Sequence, residues 1–346
     1  MEYPYVFLAP GEFDVPVRIH VEQFGLKFVQ LIDLDATVPE LGLGGYSGGF
    51  VDKTWACYAP MRTYFGVVGG LRSKLVVDRY HLRPYYHGQV LCLNDTAFQN
   101  PTRAVVLAGL RTIELTDFLP DLRGFSDAVR VGRYAYLSPF SFDSHQYTGK
   151  VIRIDLGLQD IAATLDAVKK AGLPIYTMLN MLDLAKIEPS LKGFSGIFSA
   201  SNYVYLVPNR NEHEPKNGQR GHGNFVRINM NNFKLDGVEY IDIPATTRTQ
   251  IPSFADTDLR GFSYGFASGK YAVLVPFYNA VFSGKCARLV IFGEEKLEDN
   301  LQELDLVQDY WGRVKKKNGE CGLCDNSFKF KGYRGGFISL WPGVEY

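Results

Sequence analysis

The chain has no charge of its own to offer: 37 Lys and Arg are balanced by 37 Asp and Glu over 346 residues. Such a balance lacks the basic excess of a dedicated nucleic-acid binder and gives no bulk attraction to an anionic membrane. No run approaches 18 consecutive apolar residues, so no membrane-spanning helix is expected. Residues 1–20 lack a basic start followed by an apolar stretch, so no secretory leader is read there. The expectation is a cytoplasmic protein, or an organellar one if a transit peptide has been removed. Cysteine is scarce and odd in number, with Cys57, Cys92, Cys286, Cys321 and Cys324. That set reads as reduced thiols. Cys321 and Cys324 form a lone C-x-x-C without the second pair a structural zinc site needs. P-loop, G-x-S-x-G and H-E-x-x-H motifs are all missing. The glycines Gly42, Gly44 and Gly45 lead into a strand rather than a helix, which excludes a dinucleotide fingerprint. No metal is assigned, and the cofactor is unknown.

What is present is globular and leans toward β structure. Apolar residues make up 46% and charged residues 21%, enough to bury a core. Aromatics at 14%, with 35 Gly and 17 Pro, fit many short strands joined by turns.

Self-similarity decides the architecture. Four stretches align without a gap: GYSGGFVDKTWACYAP from Gly45, GFSDAVRVGRYAYLSP from Gly124, GFSGIFSASNYVYLVP from Gly193 and GFSYGFASGKYAVLVP from Gly261. A fifth begins at Gly332 (GYRGGFISLWPGVEY) and stops at the chain end, while Tyr5–Pro10 supplies its Tyr-x-x-Leu-x-Pro half. Each unit reads as four strands. Strand A opens Gly-aromatic, and strand B is the Tyr-x-Tyr-Leu-x-Pro run. Strand C appears as Lys150–Asp155, Asn224–Asn229, Lys285–Val290 and Pro16–His20. Strand D is read around a polar centre at Asp33, Glu114, Asn180, Asp242 and Asp305. The region His81–Gly109 is read as an insertion, and Leu158–Gly172 has the spacing of a short helix between strands C and D. Glu294–Asn318 is read as a strand near Leu304–Val307 followed by a helix.

The expectation is an all-β, five-bladed β-propeller of four-stranded antiparallel blades with a short helical insertion. The blades are 45–123, 124–192, 193–260, 261–331, and 332–346 completed by 1–44, so that the N- and C-terminal strands pair and close the ring. The opening glycine is assigned to crowding where inner strands converge. The aromatic after it (Tyr46, Phe125, Phe194, Phe262, Tyr333) is assigned to the core.

Function is expected on the face that carries the D-to-A and B-to-C loops, since variable loops on a rigid scaffold commonly hold sites. Four opening glycines follow a base: Arg123, Lys192, Arg260 and Lys331. They read either as a site for an anionic group or as partners of loop aspartates such as Asp121 and Asp258. Asp127 and Arg334 depart from the repeat and are candidate catalytic groups, with a local ion pair as the other reading of Asp127. The B-to-C loops add His145, His213 and His222, together with Asp143, Ser144, Arg62, Tyr64, Asn279 and Glu12. Solvated loop positions are the plain reading of the histidines. Lys315–Lys317 reads as a solvated charge run.

The architecture resembles that of tachylectin-type lectins and of arabinanase- and invertase-type glycosidases, without the Asn-Asp-Pro-Asn segment of the invertase type. Two functions follow. The first is a binding module that holds a small polar or anionic ligand or a protein partner at the channel mouth. The second is a hydrolase or metal-assisted enzyme working through Asp127.

Overall fold

A computed structural model describes residues 5–10, 15–20, 23, 26–63, 66–68, 71–73, 85–143, 146–157, 160–211, 221–250, 259–279, 283–291, 296–297 and 301–305. The last repeat's strand A from Gly332 lies outside these residues. So do Glu12, Tyr64, Ser144, His145, His213, Asp258, the Lys315–Lys317 run, Cys321, Cys324, Lys331 and Arg334, and the helix expected after Val307. The chain divides into two compact units, Met1–Gln146 with Lys150–Met181, and Tyr147–Gly149 with Leu182–Tyr346.

The main strands follow the repeat. The N-terminal sheet has three strands, β1 (Tyr5–Leu8), β2 (Val17–His20) and β3 (Val29–Leu31). Four four-stranded antiparallel sheets follow. The first joins β4 (Tyr46–Asp52), β5 (Trp55–Pro60), β6 (Gln89–Asn94) and β7 (Leu110–Glu114). The second joins β8 (Phe125–Val131), β9 (Tyr134–Pro139), β10 (Lys150–Asp155) and β11 (Leu179–Asp183). The third joins β12 (Phe194–Ala200), β13 (Tyr203–Pro208), β14 (Asn224–Asn229) and β15 (Val238–Asp242). The fourth joins β16 (Phe262–Ser268), β17 (Tyr271–Pro276), β18 (Lys285–Val290) and β19 (Gln302–Asp305). Each is an A-B-C-D meander, the build of a propeller blade.

Turn chemistry sets the register. Each of the four described A-to-B connections is a two-residue turn whose first residue sits in the left-handed region: Lys53 (φ 54), Gly132 (φ 57), Ser201 (φ 50) and Gly269 (φ 55). Such turns match the twist of the flanking strands. Strand A carries a bulge just after its aromatic in all four sheets, between Phe125 and Asp127 for example. The repeat's serine occupies that bulge. In the third sheet Ser195 Oγ donates to the carbonyl of Phe262 on the next strand A, 2.8 Å away.

The opening glycine has a different cause from the crowding expected of it. Gly193 has φ 73, and a Cβ there would overlap the carbonyl oxygen of Arg210, just past strand B. The same overlap awaits Gly124 against Ser141. The residues after strand B fold back onto this glycine, whose carbonyl accepts from Ser141 and Arg210 in their respective repeats at 3.0 Å each. A left-handed backbone in contact with another backbone admits only glycine. The aromatics that follow are core: Tyr46, Phe125, Phe194 and Phe262 expose 2% or less.

Two strand assignments change. Residues 81–109 are not one insertion, because they contain β6, the strand C of this sheet. What is inserted is the B-to-C excursion before β6 and two short helices after it, α2 (Asp95–Gln99) and α3 (Arg103–Ala108). The acids read as the centre of strand D lie at its exit. Glu114 and Asp242 end their strands, Asp305 ends β19, and Asp33 follows β3 as N-cap of α1 (Leu34–Thr37). Asn180 is the second residue of β11, and the matching acid there is Asp183. Three of these carboxylates accept from the helical turn that follows: Asp33 from Ala36 N–H at 2.9 Å, Glu114 from Thr116 N–H at 3.4 Å and Asp183 from Ala185 N–H at 3.2 Å. The apolar residue after four of the acids (Leu34, Leu115, Leu184, Ile243) is buried.

One cross-strand pair recurs. An arginine on strand C lies over the tyrosine that opens strand B: Arg153 over Tyr134 at 4.5 Å, Arg227 over Tyr203 at 4.5 Å, Arg288 over Tyr271 at 4.3 Å. Arg18 over Tyr5, at 4.4 Å, repeats it between β2 and β1 of the three-stranded sheet. Each contact contributes roughly 0.5–2 kcal/mol. The first sheet alone differs. Trp55 replaces the tyrosine, Cys92 the arginine, and Arg111 from strand D covers the indole at 5.6 Å.

Cys57 and Cys92 correct the expectation of reduced thiols. They face each other in register on β5 and β6, with Cα atoms 4.1 Å apart, and form a disulfide. Antiparallel neighbours that exchange no hydrogen bonds come this close.

Candidate functional site

The two ends of the blades differ. At the end bearing the A-to-B turns, the chain covers itself with α4 (Ile161–Lys170), the helix expected between strands C and D. Ile161 and Leu165 are fully buried in the core cluster that holds Phe50, Trp55 and Ala128. Asp160 caps the helix by accepting from Ala163 N–H at 2.7 Å. Asp52, the last residue of β4 and 1% exposed, accepts from Ile161 N–H at 2.7 Å and pairs with Arg130 of β8 at 2.9 Å. A buried carboxylate at a helix N-terminus, neutralised by an arginine, is well placed. One acid thereby ties two strand A edges and the helix together.

The other end bears the B-to-C and D-to-A connections, and there the loops diverge. Strand B ends at Pro60, Pro139, Pro208 and Pro276, while strand C begins at Gln89, Lys150, Asn224 and Lys285. The excursion therefore runs over 61–88 in one sheet and only 277–284 in another. In the first, Arg62–Thr63 pairs with Tyr85–Tyr86 and Gly66–Val68 with Leu71–Ser73, so the loop rises as a further ribbon.

The predicted site residues separate on this frame. Arg123 is half-buried and donates Nε and Nη2 to the carbonyl of Pro120, at 2.9 and 2.7 Å. Asp121 is engaged by Lys150 of strand C, so the aspartate expected for Arg123 serves another cation. Lys192 and Arg260, in the second unit, are half-buried and have partners of their own.

Asp127 is 8% exposed, and its Oδ1 accepts from Ala128 N–H at 2.8 Å. It lies against Gly48 of the neighbouring strand A, where a Cβ would overlap the same oxygen. The departure from the repeat is thus seated in a glycine notch.

His222 is buried, not a solvated loop residue. Nε2 lies 3.0 Å from the Gly193 carbonyl and 3.2 Å from Asn209 N, Nδ1 lies 3.3 Å from Asn224 N, and the ring edge meets Phe194 at 5.4 Å. The Asn224 N–H makes Nδ1 the acceptor, so the neutral ring carries its proton on Nε2 and donates to Gly193, while Asn209 N–H also has the Gly193 carbonyl as its acceptor at 3.2 Å. Burial lowers the pKa to about 4.

His87 escaped the sequence reading and has the same role: Nε2 is 3.0 Å from the Gly45 carbonyl and the ring is edge-on to Tyr46 at 5.1 Å. A signal existed. A polar residue and a glycine precede strand C in four repeats, as His87-Gly88, Thr148-Gly149, His222-Gly223 and Ser283-Gly284. The carbonyls of His87, Thr148 and His222 accept from Gly124, Gly193 and Gly261 N–H at 3.1–3.2 Å, so this step links one repeat to the next. Asn209 adds a bond from Nδ2 to the Phe262 carbonyl at 2.6 Å. Among the described residues, no group of three or more His, Cys, Asp or Glu side chains is placed to hold a metal ion, and no helix is long and apolar enough to cross a membrane.

No family model matches the chain, and no curated protein matches it. Among solved structures it is similar to the β-propeller domain of Cps50 (Swd1) from Myceliophteria thermophila, at 8% identity, with 86% of this chain and 67% of that one covered and a TM-score of 0.41. It is similar to AztD from Citrobacter koseri at 12% identity, covering 88% and 69% with a TM-score of 0.39. The WD40 domain of Pan2 from Neurospora crassa stands at 7% identity, 87% and 79% coverage and a TM-score of 0.37. None of the three bears on activity.

Proposed function

We propose that the five repeats close into a ring, with the strand from Gly332 pairing with β1, and that the chain is a binding module. Its binding end is the one bearing the B-to-C loops. One observation carries this reading: the described A-to-B turns are uniform two-residue turns, while the B-to-C excursions range from 277–284 to 61–88. Loop divergence concentrated at one end of a rigid scaffold is the pattern of a recognition surface. Ring closure directs Arg123, Lys192, Arg260 and Lys331 toward one axis, so the ligand is anionic, either a small acid or the acidic side chains of a partner.

The test is calorimetric titration of the full chain with inorganic phosphate, citrate and a polyglutamate peptide. The comparison is the triple variant Arg123→Gln, Lys192→Gln, Arg260→Gln. Binding of at least one probe, salt-sensitive and lost in the variant while the melting temperature is kept, is the expected result. Binding that is equal in both proteins, or no binding of any of the three probes, overturns the anionic reading.

A further inference from the structure

Alignment of the five sheets gives the disulfide a context that its sequence separation of 35 hides. The positions of Cys57 and Cys92 are occupied elsewhere by Tyr136 opposite Arg153, Tyr205 opposite Arg227, Val273 opposite Arg288 and Phe7 opposite Arg18. Four sheets thus hold strands B and C together with an arginine that also covers the tyrosine at the start of strand B. The first sheet has a covalent bond at the same rung. It is also the sheet with the longest B-to-C excursion, and the bond sits at that excursion's base. Longer loops cost more entropy to close, and a cross-link at the base removes that cost from the unfolded chain. Both sulfurs are buried, with Cys57 1% and Cys92 0% exposed, so no soluble thiol reaches the bond once the sheet has packed.

We propose that Cys57 and Cys92 are oxidised as a maturation step, before the first sheet packs, and that the bond takes over the arginine's work in holding the 61–88 loop in place. The two thiols lose two protons and two electrons. The acceptor is a disulfide donor, either a small-molecule disulfide or a dithiol–disulfide oxidoreductase, which leaves as two thiols. The chain therefore reaches its full stability only where such a donor acts. The inference stands whether or not the loops bind an anion.

Peptide mapping under non-reducing conditions, with free thiols alkylated in denaturant, tests the bond in wild-type protein made with and without an oxidising folding environment. A peptide joining Cys57 to Cys92 is expected from the oxidised preparation. Its absence there, with both cysteines alkylated, overturns the proposal. The double variant Cys57→Ala, Cys92→Ala is expected to melt roughly 5–10 °C lower, as does wild type folded in reductant. Its nicking by protease within 61–88 is expected to be faster, with cleavage at the other loops unchanged. A melting temperature and nicking rate equal to the oxidised wild type would also overturn it. A second variant, Cys57→Phe with Cys92→Arg, installs the pair of the N-terminal sheet. Partial recovery of the melting temperature, now indifferent to reductant, is expected; no recovery relative to the alanine pair refutes the equivalence of bond and arginine.

Discussion

Acid should loosen the third sheet through His222 by an amount that can be worked out. The unfolded imidazole titrates near 6.5 and the folded one near 4. The folded state disfavours the proton because the ring is buried and because Nδ1, the only site left for it, faces the Asn224 N–H. The unfolded chain thus binds more protons between these two values, and stability falls as pH drops from 6.5 to 4. It is fully present above 6.5 and levels off below 4. Two and a half units at 1.36 kcal/mol each amount to about 3 kcal/mol. The informative comparison is His222→Thr, because Thr148 fills the matching position one repeat earlier. The variant loses the bond to the Gly193 carbonyl and is less stable at pH 7. Carboxylates titrate equally in both proteins and cancel in the difference. Urea unfolding at half-unit steps from pH 7 to 4 should therefore show the gap between wild type and variant closing by about 3 kcal/mol. A gap that stays constant within about 0.5 kcal/mol would refute the assignment of a neutral, pH-sensitive His222.

Three further substitutions probe the frame. Gly193→Ala forces a Cβ onto the Arg210 carbonyl at a left-handed backbone; a loss of roughly 3 kcal/mol or more, or no folded protein, is expected from thermal unfolding, and a near-neutral result would mean the glycine is not required. Arg18→Met removes a cation that donates to Asp95 at 2.6 Å and Gln30 at 2.7 Å and lies over Tyr5, at an expected cost of about 2–4 kcal/mol. Faster amide exchange should be concentrated in β1 and β2, and uniform exchange across all sheets would contradict this role for Arg18. Asp52→Asn weakens the Arg130 pair and the bond to the helix N-terminus, so exchange at Ala163 and Thr164 should accelerate by roughly tenfold while the third and fourth sheets are unchanged.

The sheets were legible in the sequence because the features that build them are local. The Gly-aromatic-Ser opening, a turn residue in the left-handed region and the Pro at the end of strand B lie within sixteen residues, so four gapless copies place strands A and B without ambiguity. Strand C of the first sheet was hidden because its arginine had become Cys92 and its loop had grown. The strand D acids were found but misplaced: Asp33 and Glu114 resemble the polar positions of an alternating strand, and only the hydrogen bonds to the next turn show that they cap it. His222 reads as a loop histidine and His87 goes unnoticed, because nothing local says that their rings fold back onto a glycine some thirty to forty residues upstream. The same holds for Asp52, whose partners Arg130 and Ile161 are brought to it by tertiary structure alone.

Departures from the repeat sort into two physical kinds, and the sorting says where recognition should be sought. Inside the sheets, departures come with a partner. Cys57 appears with Cys92, and Trp55 appears with Arg111 brought in from strand D. Asp127 appears against Gly48, and Tyr264, the other large residue at that position, likewise follows a repeat that has glycine there, Gly196. Each such change alters volume or charge in a packed interior, where an uncompensated change is costly. The B-to-C loops vary more freely. The stretches 61–88, 209–223 and 277–284 share neither length nor composition, although Arg210 lies over the Tyr278 ring at 5.1 Å. Away from the buried positions His87, Asn209 and His222, this divergence is free to serve a ligand, so substitutions at exposed loop positions should alter binding while leaving the melting temperature of the sheets in place, and substitutions at the paired positions should do the reverse.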